Sequence, residues 1–146
     1  MQDRPTYEEL LEAVRGFLER DVVPALEGTR KFHARVAANV LAIVRRELAA
    51  EPEQLAAEWQ RLDALFTSEP APADSSSLKR RLLERSRDLC RRIQAGEADG
   101  GDFRRAVIVH VRETVREKLA VANPKLLVAE DTIPRGDVDR PSRDTA

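Results

Sequence analysis

The sequence predicts an all-α protein: an antiparallel bundle of about five helices with a disordered C-terminal tail. Two observations carry this. Apolar residues recur at three- and four-residue spacing through most of the chain. The composition is rich in Ala, Leu, Val, Arg and Glu but holds only 4% aromatics and 6 glycines, which suits helices rather than a barrel or sandwich. At 146 residues the chain has the length of one domain, expected over residues 1–123, with a tail over 124–146.

The first helix opens at Thr6, because Thr6 and Glu9 have the spacing of a capping box. Tyr7, Leu10, Leu11, Val14, Phe17 and Leu18 then fill one arc of its wheel. Pro24 ends or kinks it, and Gly28 marks a break. The second helix is expected over residues 30–50. Its apolar residues, from Phe32 and Val36 to Val44 and Leu48, cover half the wheel, so a central position with several neighbours is expected. Glu51-Pro52 is read as a restart, since proline suits a first helical turn, and the third helix carries Leu55, Trp59, Leu62, Leu65 and Phe66.

Residues 67–77 hold two prolines, four serines and no large apolar group, and read as a flexible loop whose last serines cap the fourth helix. That helix presents Leu78, Leu82, Leu83, Leu89, Cys90 and Ile93, and ends at Gly96 and Gly100-Gly101. Asp102 is the expected cap of a fifth helix, from Phe103 to about Ala122, with Phe103, Val107, Ile108, Val111, Val115 and Leu119 inward. Val107-Ile108-Val109-His110-Val111 is β-branched enough for a strand, but its helical spacing continues and no second strand exists to pair with it. Pro124 stops the helix, and Leu126-Leu127-Val128 is placed to pack back on the bundle.

Charge and motif content narrow the function classes. Lys and Arg number 25 against 26 Asp and Glu, a net charge of -1, so no strong global attraction to nucleic acid is expected. No apolar run reaches the roughly 20 residues of a spanning helix, so no membrane association is expected. Met1-Gln2-Asp3-Arg4-Pro5 lacks the apolar centre of a leader, and a cytoplasmic location is expected. One cysteine, Cys90, excludes an internal disulfide framework and a thiolate metal cluster, and reads as a small hydrophobe. No phosphate loop, HExxH, GxSxG or EF-hand pattern occurs. No catalytic residue, metal or cofactor is assigned.

The remaining candidates are polar side chains on helices. His33 falls within the second helix's apolar arc, and the simplest account is a core histidine bonded to a backbone carbonyl; the alternative is a base or ligand contact. His110 sits at the edge of the fifth helix's arc, read as a boundary residue. Arg35, Asn39 and Arg46 lie at the polar border of the second helix. They suit either a network that fixes register or a fork for a carboxylate or phosphate. The fourth helix is strongly basic, with Arg80, Arg81, Arg85 and Arg92 among seven cations offset by two acids. These cations are expected to project outward, as a solvated face or as partners of acidic helices; a nucleic-acid face is the weaker alternative.

The stretch Arg4-Pro5-Thr6-Tyr7-Glu8-Glu9-Leu10-Leu11, then Phe17-Leu18, Gly28 and Phe32-His33-Ala34-Arg35-Val36 through Asn39-Val40-Leu41 to Leu48, resembles a small bacterial family of unknown function. The resemblance covers roughly residues 4–120 and is strongest over 35–48. Members are encoded beside acyl-CoA dehydrogenases and aminoglycoside-phosphotransferase-like kinases. The resemblance therefore implies a cytoplasmic accessory protein connected with acyl-CoA catabolism, and it brings no catalytic residues. A non-catalytic interaction protein is expected, with a dehydrogenase or kinase as partner and homodimerisation through the wide face of the second helix. The alternative is a module for an anionic acyl-CoA or nucleotide-like ligand held by Arg35, Asn39 and the arginines of the fourth helix.

Overall fold

The computed structural model describes residues 4–130, and most of the tail expected to be disordered over 124–146 lies outside them. Every regular element among the described residues is helical. Helix α1 spans Tyr7–Phe17 and opens on the expected capping box: the Thr6 amide donates to Glu9 Oε2 at 2.8 Å and the Glu9 amide to Thr6 Oγ1 at 3.2 Å. A π-helical turn, Leu18–Val22, follows and leads into the short helix α2, Val23–Ala25. The wider turn falls just ahead of Pro24, where a proline ring would collide with the carbonyl four residues back in a regular α-helix.

Helix α3 runs without interruption from Gly28–Asp63, 36 residues and about 54 Å long. The second and third helices of the sequence reading are thus one rod, with Pro52 inside it rather than at a new start. Helix α5, Gly101–Ala122, supplies the physical reason. It lies along α3 across the proline and bonds to it on both sides. Arg46 donates to the Val121 carbonyl at 2.7 Å; beyond the proline, Gln54 donates to the Glu117 carbonyl at 3.4 Å and Arg61 pairs with the Glu117 carboxylate at 2.6 Å. The good helix formers around Pro52 (Ala49, Ala50, Glu51, Glu53, Gln54) add local support.

Residues 64–74 carry the chain back along α3, and helix α4 spans Ser75–Gln94. Asp74, not a serine, caps it: Asp74 Oδ1 accepts from the Ser77 amide at 2.8 Å, and the serines form the first turn. Gly96 takes φ +85° beyond the end of α4. Helix α5 is capped by the backbone of Gly100, and Asp102 lies in its first turn. The β-branched run 107–111 is helical, as its spacing predicted. A last short helix, α6, covers Lys125–Glu130, the stretch of the tail placed to pack back on the bundle. Its Leu126 is exposed rather than packed back.

The core lies at one end. Trp59, Leu62 and Leu65 from α3 and its exit meet Leu82 and Leu89 of α4 and Val107 of α5, with Leu55, Phe66, Leu78 and Phe103 around them. At the other end α1 packs on the first half of α3, and its seam is built from small residues, Ala34 and Ala38. The two halves of the chain therefore bury their apolar groups very differently.

Candidate functional site

Of the seven cations of α4, Lys79, Arg80, Arg87 and Arg91 face outward as expected, whereas Arg85 and in part Arg81 and Arg92 turn in over the core. Arg85 is buried, with its guanidinium donating to Asp63 Oδ1 at 3.1 and 3.2 Å, to Glu69 Oε1 at 3.2 Å and to the Thr67 carbonyl at 3.4 Å. Its flat face lies on the Trp59 ring. Arg81 joins the same cluster through Glu69 at 2.7 Å and Glu84 at 2.6 Å. Arg92 donates to the Leu65 carbonyl at 3.0 Å, pairs with Glu97 at 2.7 Å and covers the Phe103 ring. Arg80 stays on the exposed side. Hydrogen bonds from Ser68 and the Glu69 amide hold the Asp63 carboxyl below its ordinary range, and Arg81 does the same for Glu69. These arginines tie α4 to the 64–74 connection.

The signal for Arg85 is present in the spacing. Leu78, Leu82, Arg85, Leu89 and Arg92 form one heptad-like line, and that line is what α4 buries. Leu83, Cys90 and Ile93, assigned to the apolar arc by residue type, are exposed.

The polar residues proposed on α3 are not joined in a network. Arg35, Asn39 and His33 are exposed, and among the described residues none of the three makes a side-chain hydrogen bond or ion pair. His33 is thus no core histidine; its ring tilts against Phe32, 5.9 Å between centres. Arg46 is a strut to the end of α5.

A polar pair that sequence reasoning missed lies between α3 and α5. His110 is buried, facing α3 near Arg61. Burial, aided by the Arg61 charge, pushes its imidazole below the ordinary value despite Glu117 nearby. His110 Nδ1 and Arg61 Nε are buried with no hydrogen-bond partner among the described residues. Both residues line a largely apolar groove of about 400 Å³ with Ala64, Leu65, Ala106 and Val109, and Asp102 and Arg105 stand at its rim. No group of three or more metal-capable side chains comes together among the described residues. No helix there is long and apolar enough to cross a membrane.

The most extensive feature is apolar. Tyr7, Leu10, Val14 and Phe17 form a stripe on α1 at spacings of three and four, and all four are about half exposed. Phe32, Val36 and Val40 do the same on α3, Phe32 at 63% exposure, while Ala38 on the opposite side of the helix is at 2%. Ile108, Val111 and Val115 form a third exposed line on α5. The sequence reading expected these residues to be buried against the other helices. The reason for the difference is geometric: α1 and α3 meet on their small residues, which turns the large ones away from the seam.

A family model described as a domain of unknown function (DUF6285) matches residues 24–126, a stretch that takes in α3, α4 and α5. No curated protein and no solved structure matches the chain.

Proposed function

The chain belongs to the DUF6285 family, and on that premise we propose that it is a non-catalytic accessory subunit that works by docking its apolar helix faces on protein. One observation carries the reading: three helices each present a line of large apolar side chains to solvent. Lines of exposed large apolar side chains along a helix are a property of interaction surfaces rather than of freely dissolved monomers. The family resemblance over roughly residues 4–120 supplies the candidate partners, an acyl-CoA dehydrogenase or an aminoglycoside-phosphotransferase-like kinase. A cytoplasmic location fits such a role.

The test is association of the purified chain with a purified dehydrogenase and a purified kinase of those classes, followed by light scattering. Val111→Asp and Val115→Asp on α5 are expected to weaken any complex without unfolding the chain, since both positions are exposed. Acyl-CoA turnover by the chain alone, with no change in partner behaviour, would defeat the reading.

A second reading has one observation in its favour. The groove beside Arg61 and His110 joins an apolar lining to two basic side chains, Arg61 and Arg105, a combination suited to a small anionic compound with an acyl portion. Calorimetry with acyl-CoA and with nucleotides tests it, and Arg61→Ala should abolish any heat seen. Nucleic-acid binding has less support, because Arg81, Arg85 and Arg92 are engaged within the chain.

A further inference from the structure

Resting on the docking reading above, we infer that the outer face of α5 docks an acidic amphipathic helix of a partner protein, a partner chemistry which that reading leaves open.

Helix α5 has two lines of residues at three- and four-residue spacing. The inner line is Phe103, Val107, His110, Thr114, Glu117 and Val121, all buried or half-buried. It meets the core through Val107, and it meets α3 through the contacts of Glu117 with Gln54 and Arg61. Half of this line is polar. The outer line is Ile108, Val111, Val115 and Leu119, and it is wholly aliphatic. At about 100° per residue the two lines lie roughly a third of a turn apart, so covering the inner one leaves the outer one bare. Ile108, Val111 and Val115 are 47%, 47% and 49% exposed. The aliphatic side of α5 is therefore not the side that holds it in the chain.

The spacing says that the cover is a helix. Steps of three, four and four residues along one narrow line are the seam that one helix presents to another. From Ile108 to Leu119 the seam runs about 17 Å, roughly three turns. A bilayer surface calls for a broader apolar face carrying Trp, Phe or Leu. This line is narrow and holds no aromatic side chain.

Charge selects the kind of helix. Arg104, Arg112, Arg116 and Lys118 border the outer line, and all four are exposed. Glu113 and Glu117 fall on the opposite side of the wheel, half-buried, and Asp102 in the first turn is paired with Arg105. The bordering cations are largely uncommitted. Among the described residues Arg112 and Lys118 have no ion-pair partner, and Arg104 donates to the Asp99 backbone carbonyl at 3.1 Å. Arg116 stands 3.9 Å from Glu113, too far for a hydrogen bond. Cations on both sides of an aliphatic seam attract a helix whose own seam is bordered by Asp and Glu, and repel a basic one. The same repulsion opposes α5 of a second copy.

The test uses the full chain and two synthetic helical peptides of about three heptads. Both carry Leu at the seam positions; one has Glu beside them and the other Lys. Fluorescence anisotropy at low salt should show the acidic peptide bound at least tenfold more tightly than the basic one. Val115→Asp should weaken that binding at least tenfold with the helical circular dichroism intact, since Val115 is about half exposed. Arg112→Glu combined with Arg116→Glu should reverse the preference, which a loss of fold could not do. Equal binding of the two peptides, lost in Val115→Asp, overturns the acidic partner and leaves the docking reading standing. Binding of neither peptide overturns the inference; if Val115→Asp also leaves complexes with the dehydrogenase and the kinase unchanged, the docking reading fails at α5 as well. Adsorption to phosphatidylglycerol vesicles that is lost in Val115→Asp, with no preference between the peptides, puts a bilayer on this face and overturns the helical partner.

Discussion

The guanidinium carbon of Arg85 lies 4.0 Å from the centre of the Trp59 ring, while the edge of the same group holds Asp63 at 3.1 Å. One side chain thereby stacks on the core of α3 and fixes the start of the 64–74 connection. A cation is tolerated at a core position of α4 because its flat face replaces an apolar neighbour and its N–H groups find carboxylates at the rim.

Arg85→Lys should destabilise the fold although the charge is kept, because an ammonium group offers neither the stacked plane nor the fork. A loss of about 2 kcal/mol in urea unfolding is expected, and Arg85→Ala should exceed it. An effect of Arg85→Lys within a few tenths of a kcal/mol would show the stacking to be incidental.

Pro52→Ala should stabilise the protein. Proline in the middle of a helix removes a backbone donor and strains the preceding turn, at about 3 kcal/mol in an unsupported helix. The bonds from α5 on both sides of Pro52 hold α3 in one piece despite this. A rise in the thermal midpoint is expected, and a fall would mean that Pro52 ends a helix in solution.

Arg61 and Glu117 should be energetically coupled. Their ion pair is bidentate, at 2.6 and 2.8 Å, and partly buried. A double-mutant cycle with Arg61→Met and Glu117→Gln should give a coupling of about 1 kcal/mol. Additive single effects would remove the clamp from the account of how α5 splints α3.

Stability should fall as the pH drops from 7.5 towards 5, and His110 should be responsible. Its folded value lies below the ordinary value of about 6.5 because of burial and Arg61, so the unfolded chain takes up the proton first. The stability that the neutral ring contributes is present above the unfolded value and is lost as the pH falls below it. Arg61 and Glu58 on α3 and Glu117 on α5 stand in the same region. Glu58 is shifted up by burial and works in the opposite sense at lower pH. His110→Phe should flatten the profile between pH 7.5 and 5. The lowered carboxyls Asp63 and Glu69 contribute a separate loss only nearer pH 4.

Local chemistry determined the helical class, the capping box at Thr6 and Glu9, the breaks at Gly28, Gly96 and Asn123-Pro124, and the helical state of the 107–111 run. Each of these depends on residues within a turn or two of one another, so spacing and caps suffice to read them. Only the tertiary structure decided that α3 continues through Pro52, since the stabilising contacts come from α5, more than 60 residues later. It also decided which arc of each helix faces inward. Hydrophobic type placed Leu83 and Ile93 inside and Arg85 outside, whereas a guanidinium can be buried when a ring and carboxylates from a distant segment meet it. The apolar lines of α1, α3 and α5 were legible as stripes, but a stripe says that something must cover it and not what. Whether that cover is the same chain or another one depends on where the small residues let two helices approach, and here Ala34 and Ala38 set that approach.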